Sequence, residues 1–318
     1  MKKWHIITLL ATALILNLLT STTFIGKLPC DNAGELHNTN LALANGWHWQ
    51  EGYYHNHTSV VVGWLVPQLS KLLNTDITTI YKYILPILFS VTPILLYLLF
   101  RRYLPNSKAF LAALLFAILP PTHMEVATIG KSMIAELLAV GALLLLTSNL
   151  RTSVRIPAAS ALTILTLWSH YTVGFLLLIW LGLYIIANNR RILSSIPLVV
   201  GSLFSILYFR IASGGVIYDA VRLWNRQPLP PNDLVRNILL AQPVDSVAIN
   251  SISATSSDLQ LWIIRIIIYL VIVAGAIGIV YIIKHKEYLE LKEFSVIVAG
   301  SAILVILAVF VPIFTRNL

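Results

Sequence analysis

The sequence predicts an all-α polytopic integral membrane protein of about nine transmembrane helices, with a long first outer loop that carries a surface helix. Three observations predict it. The 318-residue chain is 58% hydrophobic and only 11% charged, and its mean hydropathy is +0.81. No soluble fold of that size hides so much apolar surface, so lipid is the expected solvent. The apolar residues also gather into stretches of membrane-spanning length, and basic residues gather in the short connections between alternate stretches.

A spanning helix needs about 20 mostly apolar residues. The expected spans are 4–26, 78–100, 108–122, 132–149, 156–173, 173–189, 192–212, 259–283 and 294–315. The first follows Met1-Lys2-Lys3 in the manner of a signal peptide. Its apolar character continues to Ile25 with no small-x-small site close behind, so an uncleaved helix is expected. The third and fifth run into Pro120-Pro121-Thr122-His123 and Ser169-His170-Tyr171, which predicts short, tilted or broken elements.

Orientation follows from charge. Lys2 and Lys3, then Arg101, Arg102 and Lys108, then Arg151 and Arg155, then Arg190 and Arg191, and finally Lys284, Lys286 and Lys292 place twelve of the 22 basic residues in five short segments. The positive-inside rule makes those segments cytoplasmic, with the N-terminus among them, and puts the long connections 27–77 and 213–258 on the extracytoplasmic face. The net charge of +9 is thus scattered along membrane-flanking loops and not massed in one patch, which argues against nucleic acid as a partner. A single cysteine, Cys30, excludes an intramolecular disulfide, leaving packing, hydrogen bonds or a metal to hold the outer loops. Residues 1–318 read as one membrane domain in the plasma membrane.

Ten of the 13 carboxylates and six of the eight histidines fall at or near the outer face, where any chemistry is expected. Asp31 and Glu35 lie four residues apart, on one face of a helix. Paired carboxylates at a membrane boundary suit base catalysis or metal binding. Asp31 equally suits the cap of an interfacial helix running through Leu41, Leu43 and Ala44 to Gly46. Trp47 to Thr58 mixes aromatic rings with His48, His55 and His57, as a headgroup-level loop does, and lacks standard zinc spacing. Val60 to Leu73 reads as an amphipathic helix on the membrane surface.

His123 and Glu125, one residue apart in the second outer turn, can reach one cation; Lys131 and Glu136 follow. Glu136 lies inside an apolar stretch and needs a partner, for which Lys131 is nearest in sequence. His170 is either a site group or a histidine hydrogen-bonded between helices. In the second outer loop, Arg222 and Arg226 stand beside Tyr218 and Trp224, and can hold a lipid phosphate either in a site or as headgroup contacts.

A first helix ending in Asp31…Glu35, a long outer loop with a surface helix and an acidic second outer turn resemble the GT-C superfamily of polyprenyl-phosphate-sugar-dependent glycosyltransferases. Within it, the run Tyr81 to Pro86 leading to Leu99-Phe100-Arg101-Arg102, the motif Ile134-Ala135-Glu136-Leu137 and Ser169-His170-Tyr171 are similar to an uncharacterised group of archaeal multi-spanning proteins. The resemblance implies sugar transfer from a polyprenyl-phosphate-linked donor to an acceptor on the extracytoplasmic face. It makes Asp31 the catalytic acidic residue, accompanied by Glu35. It puts His123 and Glu125, with Asp31, where related enzymes bind a divalent cation such as Mg or Mn, although this chain has His-x-Glu where they have Asp-x-Asp. Lys131, Glu136, His170, Arg222 and Arg226 become substrate-binding residues. Such proteins usually continue beyond the point where this chain stops, so a truncated or split member is expected. A transporter or flippase for a lipid-linked or polar solute is the alternative; it predicts internal repeats and ionisable residues near the bilayer midplane. The sequence shows no such repeat, and its candidate residues gather at the outer rim.

Overall fold

The computed structural model describes residues 3–24, 31–47, 59–119, 122, 126, 130–187 and 192–211. The second outer loop and the two last apolar stretches lie outside them, and so do Arg222, Arg226, His123, Glu125 and the side chain of Asp31. The chain divides into two units, 1–181 with 191–223, and 182–190 with 224–318. Only 182–187, the end of one helix, is described in the second, so the helix packing and the candidate site belong to the first.

The described residues are helices and their connections, with no strand among them, so the all-α class holds there. The helices are α1 (Lys3–Phe24), α2 (Asp31–Asn45), α3 (Val61–Leu73), α4 (Ile77–Phe100), α5 (Asn106–Ile118), α6 (Gly130–Leu146), α7 (Thr152–Ser169), α8 (Tyr171–Ala187) and α9 (Ile196–Ile211). They fall on the first seven apolar stretches, with α2 and α3 in the connection between the first two. Two of them, Lys3–Thr23 and Ile77–Phe100, are long and apolar enough to cross a membrane. Others are shorter: α5 has 13 residues, or about 20 Å against a hydrocarbon core of about 30 Å.

α1 sets the pattern of packing. Residues 5, 9, 13, 17 and 21 share one face, because side chains four apart stack along a helix. All five are buried, and three are polar: His5, Asn17 and Ser21. His5 Nδ1 meets the Tyr97 hydroxyl at 2.9 Å, and Asn17 Nδ2 donates to Ser90 Oγ at 3.0 Å, both on α4. The opposite face exposes Ile7, Ile15 and Leu19. Polar groups point inward and large apolar ones outward, the reverse of a soluble helix.

α4 begins at a tight corner. Asn74 ends α3 with φ at 47°, the left-handed conformation that an asparagine adopts at a helix C-terminus. Asp76 caps α4, its carboxylate accepting from the backbone N–H of Thr79 at 2.9 Å and from the Thr79 hydroxyl. Both α3 and α4 contain a widened π turn, Val61–Leu65 and Ile80–Ile84, each shortly followed by a proline, Pro67 or Pro86. Proline has no N–H, so Pro86 leaves the carbonyl of Lys82 without its helical donor. Ser21 fills the gap: its hydroxyl donates to Lys82 O at 2.7 Å.

α3 is amphipathic as expected. Its buried face of Val61, Val62, Val66 and Pro67 packs on protein, against α2, α4 and α6. Farther along, small residues let α6 and α7 pack closely, with Ala139 and Ala142 against Ile156 and Ala159. α7 stops at Ser169 because His170 is extended (φ −151°, ψ 114°), and α8 restarts at once. The break expected within Ser169-His170-Tyr171 is therefore a single residue.

Candidate functional site

Glu35 and Lys131 form a buried ion pair. Their side chains are 0% and 3% exposed, with Lys131 Nζ 3.6 Å from Glu35 Oε1. The other carboxylate oxygen, Oε2, accepts the backbone N–H of Lys131 at 3.2 Å. That N–H belongs to the first turn of α6, where helical donors have no partner within the helix. One carboxylate thus neutralises a lysine and caps the helix that carries it, favoured by the helix dipole.

Geometry around the pair depends on a glycine. A Cβ on Gly130 would sit 2.4 Å from Cε1 of Tyr81 and 3.1 Å from Glu35 Oε2, so only glycine allows the ring and the carboxylate to lie against the start of α6. Tyr81 sits in the π turn of α4, fully buried. Its hydroxyl lies 3.2 Å from Thr39 Oγ1, one turn beyond Glu35 on α2, and also faces the Glu35 carboxylate. A π turn shifts side chains out of the regular register, which is how Tyr81 reaches α2.

His170 completes the described site. It is half-buried at the break between α7 and α8 and lies within electrostatic range of Lys131. Nearby, Ser59 Oγ donates to Ser169 O at 2.7 Å, tying the start of α3 to the end of α7. The indole of Trp47 packs on the bare face of Gly63, where a Cβ would lie 2.4 Å from Nε1, and its ring centroid is 5.5 Å from that of Trp168. α2, the start of α3, the start of α6 and the α7–α8 break converge here.

Of the residues singled out from sequence, Glu35, Lys131 and His170 come together. Glu136 is half-buried on α6, five residues beyond Lys131 and so about 140° around the helix from it. Lys131 meets Glu35, a partner that sequence proximity to Glu136 did not suggest. Asp31 opens α2 one turn ahead of Glu35. Sequence reasoning missed Thr39, Tyr81, Gly130 and Ser59 as site residues. Thr39 had a signal, four residues after Glu35, and so did Gly130, a glycine directly before a charged residue at a helix start.

A divalent cation needs several oxygen ligands. Among the described residues no three His, Cys, Asp or Glu side chains gather as a metal site, and the Glu35 carboxylate already faces an ammonium. The three candidate ligands, Asp31, His123 and Glu125, all lie outside the described side chains. No protein-family model, curated protein or solved structure matches the chain.

Proposed function

We propose that this chain crosses the membrane about nine times and is a GT-C-type glycosyltransferase, moving a sugar from a polyprenyl-phosphate-linked donor to an acceptor on the extracytoplasmic face. The observation that carries the reading is the buried Glu35–Lys131 pair. It joins the exit of the first helix to the second outer turn, the two segments where the resemblance expects chemistry. The inverted polarity of α1, with hydrogen-bonded polar groups inside and Ile7, Ile15 and Leu19 outside, supports the membrane placement.

In this reading Asp31 is the general base. Its carboxylate takes the proton of an acceptor hydroxyl, the acceptor oxygen bonds to the anomeric carbon, and the bond from that carbon to the phosphate oxygen breaks with its electron pair on the phosphate. Arg222 balances the charge on the departing phosphate. Glu35, Lys131 and Tyr81 are positioning residues that hold α2 against α6, and His170 and Glu136 offer hydrogen bonds to donor or acceptor. No step is assigned to a cation.

The test is Asp31→Asn in the native host, with lipid-linked saccharides and surface glycans compared by mass spectrometry and membrane insertion checked by fractionation. Accumulation of a lipid-linked sugar, or a glycan shortened by one residue, is expected. Unchanged pools with a folded protein would remove Asp31 as the base and put the transporter reading ahead.

A further inference from the structure

We propose that Ser59 is a positioning residue of the candidate site: its hydroxyl fixes the break between α7 and α8 and thereby sets where His170 stands. No proline or glycine forces that break. Neither occurs from Thr166 to Val173, and helix runs on both sides. His170 alone is extended between them. A buried chain gains by closing its helical hydrogen bonds, so one extended residue between two helices needs contacts from elsewhere in the fold.

Two such contacts are present. Ser59, 110 positions earlier, donates from Oγ to the carbonyl of Ser169 at 2.7 Å, and both residues are 0% exposed. That carbonyl ends α7, where helical acceptors have no partner within the helix. Donors in the same turn are engaged one turn back, His170 N with Thr166 O at 2.9 Å and Ser169 Oγ with Leu165 O at 2.6 Å, so Ser169 O takes its donor from Ser59. The second contact is at Gly174, where a Cβ would lie 2.7 Å from Cα of Leu167. In a continuous helix those residues would be about 10 Å apart, so α8 turns back sharply on the end of α7 and admits no side chain at 174.

Because the break is a single residue, whatever fixes it fixes His170. The imidazole stacks on Tyr171, with ring centroids 5.4 Å apart, and lies within electrostatic range of Lys131. Ser59 acts from the start of α3, which packs on α2, the helix that carries Glu35. One hydroxyl therefore ties the placement of His170 to the helices that hold the Glu35–Lys131 pair. The part that His170 plays in sugar transfer rests on the function proposed above; its placement by Ser59 does not.

Carbethoxylation of the full chain in detergent by diethyl pyrocarbonate, read residue by residue by mass spectrometry, tests the proposal, because a shielded imidazole reacts in proportion to how often its surroundings open. His5, 3% exposed on α1 and bonded to Tyr97, is the internal control. Ser59→Ala should raise the rate at His170 about fivefold, the weight of one hydrogen bond, and leave the rate at His5 unchanged. If Ser59→Ala fails to fold, Ser59→Cys, of similar size and a weaker donor, gives the same comparison with a smaller rise. An unchanged rate at His170, or equal acceleration at His170 and His5, overturns the proposal. In the native host, Ser59→Ala and His170→Gln should change the lipid-linked saccharides alike, and their combination should add nothing further. A faster His170 with unchanged saccharides upholds the placement by Ser59 and overturns sugar transfer as its purpose.

Discussion

Glu35 serves two groups of one residue, and its removal therefore has two effects. Glu35→Gln leaves the Lys131 ammonium buried without its counter-charge, a change that costs about 3–5 kcal/mol when a buried pair is broken. Replacing both residues by methionine removes the charge and its desolvation together, and should recover most of that stability while abolishing activity. Thermal unfolding in detergent measures the first effect and the glycan assay the second; a double variant as unstable as Glu35→Gln would contradict this account of the pair. Glu35 was legible because its spacing from Asp31 puts two carboxylates on one helix face. Its partner was not, because helical period turns Lys131 away from Glu136 and tertiary packing brings it to a residue 96 positions earlier.

Among the elements, α4 carries the clearest dependence on a neighbour. Ser21 donates to the carbonyl that Pro86 leaves open, so Ser21→Ala should cost about 1 kcal/mol or more by leaving that carbonyl unsatisfied. In a Pro86→Ala background the restored N–H can serve Lys82, and the cost of Ser21→Ala should shrink. A double-mutant cycle measures the coupling, and additive effects would refute it. The cap of α4 has a pH dependence of known sign. Hydrogen bonds from Thr79 hold the Asp76 carboxyl below its ordinary 3.8. A lowered native value means that the ionised cap stabilises the fold above pH 3.8, and that this contribution is lost as pH falls through the native value. Asp76→Ala should lower Tm at neutral pH, and the gap to wild type should close on acidification. Apolar stretches made most helices legible. The polar run Ser169-His170-Tyr171 marked the break at His170, whereas the π turns left no mark, since a widened turn does not alter hydrophobic periodicity.

At the scale of the whole molecule, the all-α class that the described residues show was legible from composition, because so much apolar surface with so little charge has few other solutions. Sidedness came from charge alone, and it is open to direct measurement. In a Cys30→Ser background, Lys71→Cys on exposed α3 should react with a membrane-impermeant maleimide in intact cells. Asn149→Cys, exposed in the α6–α7 turn, should react only after permeabilisation. The reverse pattern would invert the topology and remove the proposed site from the outer face.

The long span between Glu35 and Lys131 also bears on how the protein is made. A ribosome delivers α2 well before α6, so Glu35 emerges 96 residues ahead of the amide and ammonium of Lys131. Through that interval the carboxylate has neither its ammonium nor the amide it caps, and Tyr81 arrives before the glycine it packs on. The site is therefore a late product of synthesis, complete only once residue 131 has been made.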